Sequence, residues 1–237
     1  MKRTVTVLLA LVASVGISAA AQAQTKKAIS IGEVEILDKA AYEALVKITA
    51  PEIEKAGGKG LNTTFGKIVT RVGEAPKSVI LIQWDSLEKA QAYFNSPFYK
   101  ETEPQRAKAF KTSRGYTVEA GPNFTGFTLQ ASKPTAYWLR EFEVTNQAAY
   151  DNLPNTISQD VRNRFQEAGR QTGRQASGTA NGKVVARLGG EPPKHIALQG
   201  FPNMEQAEAY QKSATSITSQ LPQTTKTIRE YIIEAAQ

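Results

Sequence analysis

The sequence predicts an α+β fold in which two diverged copies of one unit follow each other, and three observations predict it. Blocks of residues recur in the same order 108 to 117 positions apart. Within each copy the spacing of apolar residues switches between two and 3.6. A stretch rich in Gly, Pro, Ser and Thr separates the copies.

The recurrence is collinear. Glu33-Val34-Glu35-Ile36 and Ala40-Ala41-Tyr42 return as Glu141-Phe142-Glu143-Val144 and Ala148-Ala149-Tyr150. Gly66-Lys67-Ile68-Val69-Thr70-Arg71 returns as Gly182-Lys183-Val184-Val185-Ala186-Arg187. Glu74-Ala75-Pro76-Lys77 matches Glu191-Pro192-Pro193-Lys194, and Leu87-Glu88-Lys89-Ala90-Gln91-Ala92-Tyr93 matches Met204-Glu205-Gln206-Ala207-Glu208-Ala209-Tyr210. Tyr116-Thr117-Val118-Glu119-Ala120 matches Tyr231-Ile232-Ile233-Glu234-Ala235. The units are therefore residues 28–120 and 135–237, with 121–134 as a linker.

Each element follows from its pattern. Residues 30–37 alternate Val34 and Ile36 against Glu33 and Glu35, a strand with one oily face. Residues 39–56 place Ala41, Leu45, Ile48 and Ile53 at helical spacing, with Asp38 as N-cap, Pro51 as an expected kink or break, and Gly57-Gly58 as the stop. Residues 65–72 and 78–84 are strands about a Gly-Glu-Ala-Pro turn. A helix from Ser86 carries Leu87, Ala90 and Tyr93, and Gly115 to Ala120 makes the last strand. The order βαββαβ is that of a ferredoxin-like unit, an antiparallel sheet with both helices on one face. The other face needs cover, and packing of the two units as an internal pseudo-dimer supplies it.

The first 23 residues have the parts of a cleaved secretory signal: Lys2 and Arg3, an apolar run from Val5 to Ile17, and Ala21-Gln22-Ala23. The expected location is periplasmic or secreted, with cleavage after Ala23 and no membrane association afterwards. With no cysteine the chain has no disulfide, lipidated Cys or thiol nucleophile. Removal of Lys2 and Arg3 lowers the formal charge of +7 by two, and the remaining bases are scattered among acids. There is no basic stripe interleaved with aromatics, so nucleic acid is not an expected partner.

The first unit resembles the domain-of-unknown-function family 1330, within the dimeric α+β barrel superfamily. The resemblance rests on Ala41-Tyr42, Gly57-Gly58, Gln83-Trp84-Asp85-Ser86-Leu87-Glu88, Tyr93-Phe94-Asn95-Ser96-Pro97-Phe98-Tyr99 and Tyr116-Thr117-Val118-Glu119-Ala120. Gln83 stands where the family usually has an acid. The second unit keeps the skeleton and loses the rest, with Ser213-Ala214-Thr215-Ser216 where the first has Ser96-Pro97-Phe98-Tyr99. The resemblance implies a cavity beneath the sheet. It implies no particular reaction, because the superfamily includes monooxygenases, isomerases, haem enzymes and proteins without assigned activity.

Five residues are candidates for binding a ligand. Arg106 and Tyr99 offer a cation and a phenol to orient an anionic or carbonyl group, and Trp84 an indole to cover it; otherwise they are rim aromatics and a solvated arginine. Glu33 and Glu35 recur as Glu141 and Glu143, and Lys67 and Arg71 as Lys183 and Arg187. If these face the space between units, they are ion pairs there, or carboxylates tuned for acid–base work. His195 is the only histidine, too few for a metal site; it is an ordinary strand-edge residue or an axial haem ligand. The sequence thus points to a cofactor-free, small-molecule-binding exported monomer. A cofactor-independent oxygenase or isomerase and a structural partner-binding module are the alternatives.

Overall fold

The computed structural model describes residues 26–121, 124–127, 136–175, 177–179, 184–189 and 191–236, and for 177–179 and 186 the backbone alone. The expected signal segment and most of the 121–134 stretch lie outside these residues. The first half contains β1 (Ala28–Ile36), α1 (Lys39–Lys55), β2 (Gly58–Gly60), β3 (Ile68–Val72), β4 (Ser78–Trp84), α2 (Leu87–Asn95), α3 (Pro97–Glu101), α4 (Glu103–Ala109) and β5 (Phe110–Glu119). The second contains β6 (Ala136–Val144), α5 (Gln147–Thr156), α6 (Gln159–Gln171), β7 (Ser177–Thr179), β8 (Val184–Leu188), β9 (His195–Phe201), α7 (Met204–Thr218) and β10 (Thr225–Glu234).

Side-chain caps fix the helix starts. Asp38 accepts from the Ala41 amide at 2.9 Å and Ser86 from the Lys89 amide at 3.2 Å, satisfying donors that the first turn leaves free. The expected break at Pro51 does not occur. α1 runs through it, the lost N–H being offset by burial of Leu45 before it and packing of Ile53 after it.

The strands form two antiparallel five-stranded sheets, β2-β4-β1-β5-β8 and β7-β9-β6-β10-β3. The strand expected over 65–72 forms as the shorter β3, but in the second sheet, and β2 is an additional short strand in the first. The edge strand beside β5 is β8, from the second half, and the one beside β10 is β3, from the first. Both faces of β1 are buried, unlike the one-sided strand expected. Ile29 and Ile31 meet Tyr137, Leu139 and Ile233 between the sheets, while Ala28 packs with Trp84 and Leu87 under the helices. Phe124 and Phe127, inside the expected linker, belong to the inter-sheet core, and the Phe127 amide donates to Gln83 Oε1 at 2.6 Å. No helix among the described residues is long and apolar enough to cross a membrane.

Candidate functional site

Small residues on the helix-facing side of β1 open a cavity. Ser30, Gly32 and Val34 line its floor, and α1 crosses above, packing chiefly on α4 and β2 and leaving the middle of the sheet uncovered. Its volume is about 880 Å³. Leu45, Val46, Ile53, Ile80 and Ile82 give it largely apolar walls. Tyr42, on α1, bonds the Thr64 hydroxyl at 2.5 Å, tying that helix to the loop that borders the cavity.

Two of the sequence-derived candidates meet at this cavity. Ser96 caps α3 through the Tyr99 amide at 3.1 Å, which fixes Tyr99 in α3, seven residues before Arg106 in α4. The Arg106 guanidinium lies 3.6 Å from the Tyr99 ring centroid, donates to the Tyr99 carbonyl, and donates to Thr102 Oγ1 at 2.7 Å. Tyr93 joins them, its ring 5.7 Å from that of Tyr99. Burial, then the neighbouring Tyr99, push the Tyr93 phenol up to about 12, so it stays a hydrogen-bond donor at neutral pH.

Trp84 is not in the cavity wall, contrary to expectation. It is fully buried, its indole packs on Tyr93 at 5.3 Å and Phe94 at 5.6 Å, and its Nε1 donates to Ser30 Oγ at 2.8 Å. Its size draws it into the helix–sheet core, where the hydroxyl of Ser30 satisfies the one polar atom. It supports the floor without reaching a ligand.

Residues 27–119 match a family described as Domain of unknown function (DUF1330). No curated protein matches the chain. Among solved structures, a haem-binding protein from Thermus thermophilus is 10% identical, covering 90% of this chain and 92% of that one at a TM-score of 0.53. A putative chlorite dismutase is 8% identical, covering 90% and 96% at a TM-score of 0.54. A putative monooxygenase from Fusobacterium nucleatum is 10% identical, covering 90% and 94% at 0.50. At these identities the likeness shows the fold, a mixed α+β chain with antiparallel sheets similar to dimeric α+β barrel proteins.

Glu33 and Glu35 do not line the cavity. Glu35 is exposed at the surface with Lys77, whose hydrogen bond and charge hold its carboxyl below the usual range. Glu33 is buried between the sheets, accepting from Arg229 at 2.6 Å and from the Tyr231 hydroxyl at 3.3 Å. Glu141 is engaged likewise by Arg114 at 2.7 Å and Tyr116 at 2.8 Å. The cationic partners are thus Arg114 and Arg229, not Lys67, Arg71 or Arg187, and Lys183 lies outside the described residues. With both buried carboxylates engaged, the arrangement is an ion-pair network across the sheets and leaves no free base there. His195 is absent from the cavity lining and stacks on Phe142 with ring centroids 5.2 Å apart.

Sequence reasoning missed the cavity's most unusual member. Arg187, on β8, enters it from the second half; its Nε is buried without a hydrogen-bond partner, and its guanidinium carbon is 3.5 Å from the centroid of the Phe94 ring. Burial, and the nearby charge of Arg106, both press its pKa down. The recurrence of Arg71 as Arg187 was visible in the sequence, but not that pairing of β8 with β5 carries the second half's arginine into the first half's cavity.

Proposed function

We propose that this chain is an exported protein of two diverged copies of one α+β unit, packed as an internal pair, whose first copy binds a small organic molecule between its helices and its sheet. The cavity carries this conclusion: about 880 Å³, apolar walls, and the convergence of Tyr93, Tyr99 and Arg106. Ligand pockets typically have roughly 300–1,000 Å³ with a few converging polar groups. The matching strand orders of the sheets, each completed by a strand from the other half, support the internal pair and a monomeric state. The N-terminal sequence supports export.

Catalysis is the second alternative, since a putative monooxygenase shares the fold. A cofactor-independent oxygenase or isomerase would use the same cavity, with Tyr93 and Arg106 orienting a substrate that supplies its own reactivity. The haem-binding neighbour raises a further test of fit. Among the described residues no His, Cys or Met lines the cavity, so of the side chains that usually hold a haem iron only tyrosines would be there to do so. That donor set gives no specific reason to expect haem, and the proposal needs no cofactor.

The neutral dye N-phenyl-1-naphthylamine, which brightens in apolar surroundings, tests the pocket. The protein from residue 24 onward should bind it, and Ala50→Trp, which fills the cavity from α1, should abolish the signal while leaving the melting temperature nearly unchanged. Undiminished binding by a folded Ala50→Trp variant overturns the proposal.

A further inference from the structure

Arg187 owes its position to a backbone irregularity. Along the pairing of β5 with β8, Gly115 stands opposite Leu188 and the next residue, Tyr116, opposite Ala186. Arg187 is therefore the extra residue of a β-bulge, a device that re-aims a side chain out of the regular alternation. β3 has the same irregularity beside β10: Glu230 stands opposite Val72 and Tyr231 opposite Thr70, so Arg71 is the extra residue there.

The two arginines meet different surroundings. In the second sheet the strand pair inside the bulge carries Arg140 opposite Glu230. Arg140 stacks on Phe142 at 4.8 Å and, though its own Nε is also buried without a hydrogen-bond partner, it lies in the field of the Glu230 carboxylate, which accepts from Gln211 at 2.8 Å, so the space is filled and holds an opposite charge. Arg71 turns outward and pairs with Glu208 on α7 at 2.8 Å. In the first sheet the same places hold Gly32 opposite Gly115. Side chains are absent, and a guanidinium nitrogen of Arg187 lies 3.4 Å from where a Cβ on Gly115 would be and 4.0 Å from one on Gly32. The residue matching Glu208 in the sequence repeat is Gln91, which carries no charge. Arg187 has no ion pair among the described residues, and its near neighbours in the cavity are Phe94, Tyr93, Tyr99 and a second cation, Arg106.

We infer that this cavity is an anion site, in which Arg187, seated over the Gly32 and Gly115 pair, binds the carboxylate of a small organic anion whose apolar body lies against α1. The inference rests on the pocket proposed above and specifies its ligand. A desolvated cation without a counter-ion is unfavourable, and a bound carboxylate supplies the missing charge in the planar geometry that a guanidinium fork matches. The second half thereby contributes the specificity residue to the first half's site.

The test compares two dyes of one shape. 8-Anilino-1-naphthalenesulfonate is N-phenyl-1-naphthylamine bearing one sulfonate, which stands in for the carboxylate. The wild-type protein should bind the anionic dye at least about tenfold more tightly than the neutral one, the scale of one charge-assisted contact. Arg187→Met should erase that preference and leave the neutral dye's affinity within about twofold. Gly115→Glu, which gives Arg187 the partner it lacks, should do the same and decides the matter if Arg187→Met does not fold. A preference that survives in folded variants overturns the anion site while the pocket stands. Absence of binding by both dyes removes the pocket and the anion site together.

Discussion

Tyr93 shows how one buried side chain couples the site to stability. It is 6% exposed, and its phenol titrates at about 12 in the folded chain, against about 10 in an unfolded one. Because the folded value is the higher, the stabilisation is complete below about pH 10 and is lost as the pH rises toward 12, where the unfolded chain has released a proton that the folded one keeps. Urea unfolding should therefore show stability falling with pH across that window, and Tyr93→Phe should make the fall shallower by up to about 1.4 kcal/mol per pH unit. An identical slope in the variant would show that the other buried tyrosines account for it. Neighbouring Trp84 is a structural residue: legible from sequence as an aromatic near the site, but with its direction set by packing.

At the level of the element, β8 is the critical piece, because it is the strand that presents Arg187. It is followed by Gly189, which holds a φ of +60° and whose missing Cβ would press against the Ser113 carbonyl. Gly189→Ala should destabilise the protein by about 1–3 kcal/mol, from left-handed backbone strain added to that close approach, and should weaken binding of the anionic dye by moving the strand. Gly60→Ala is the control, since a Cβ there meets nothing within 4 Å and should change the denaturation midpoint little. The helices were readable because capping and 3.6-residue spacing are local. The three-residue β2 was not, nor was the sheet that β3 joins, because a strand's choice of sheet depends on partners far along the chain.

Across the whole molecule, Glu33 with Arg229 and Glu141 with Arg114 form a charge network at the centre of the shared core. Each arginine also lies 3.9 Å from the other pair's carboxylate. Burial works against both guanidiniums, and the hydrogen bonds and charges of the carboxylates more than offset it, so both pKa values are raised. Arg229→Met would leave Glu33 buried with its closest cation gone, a loss of about 3–5 kcal/mol. Because Ile29, Leu81, Tyr137 and Ile233 belong to one inter-sheet core, tryptophan fluorescence and far-ultraviolet circular dichroism should report a single coincident unfolding transition. Two separated transitions would show halves that fold independently.

By itself the sequence determined the α+β class and the positions of α1, α2 and most strands, and it put Tyr99 and Arg106 forward together as candidates, all of which follow from local spacing, caps and a recognisable Ser-Pro-Phe-Tyr element. It also marked Glu33 and Glu141 as charges repeated for a common reason. Tertiary structure alone decided which arginines answer them, which sheet β3 and β8 join, and that Trp84 turns into the core. It alone placed Gly32 opposite Gly115 and brought Arg187 over them. These outcomes depend on strand register between residues far apart in the chain, which no local pattern of apolar and charged side chains encodes.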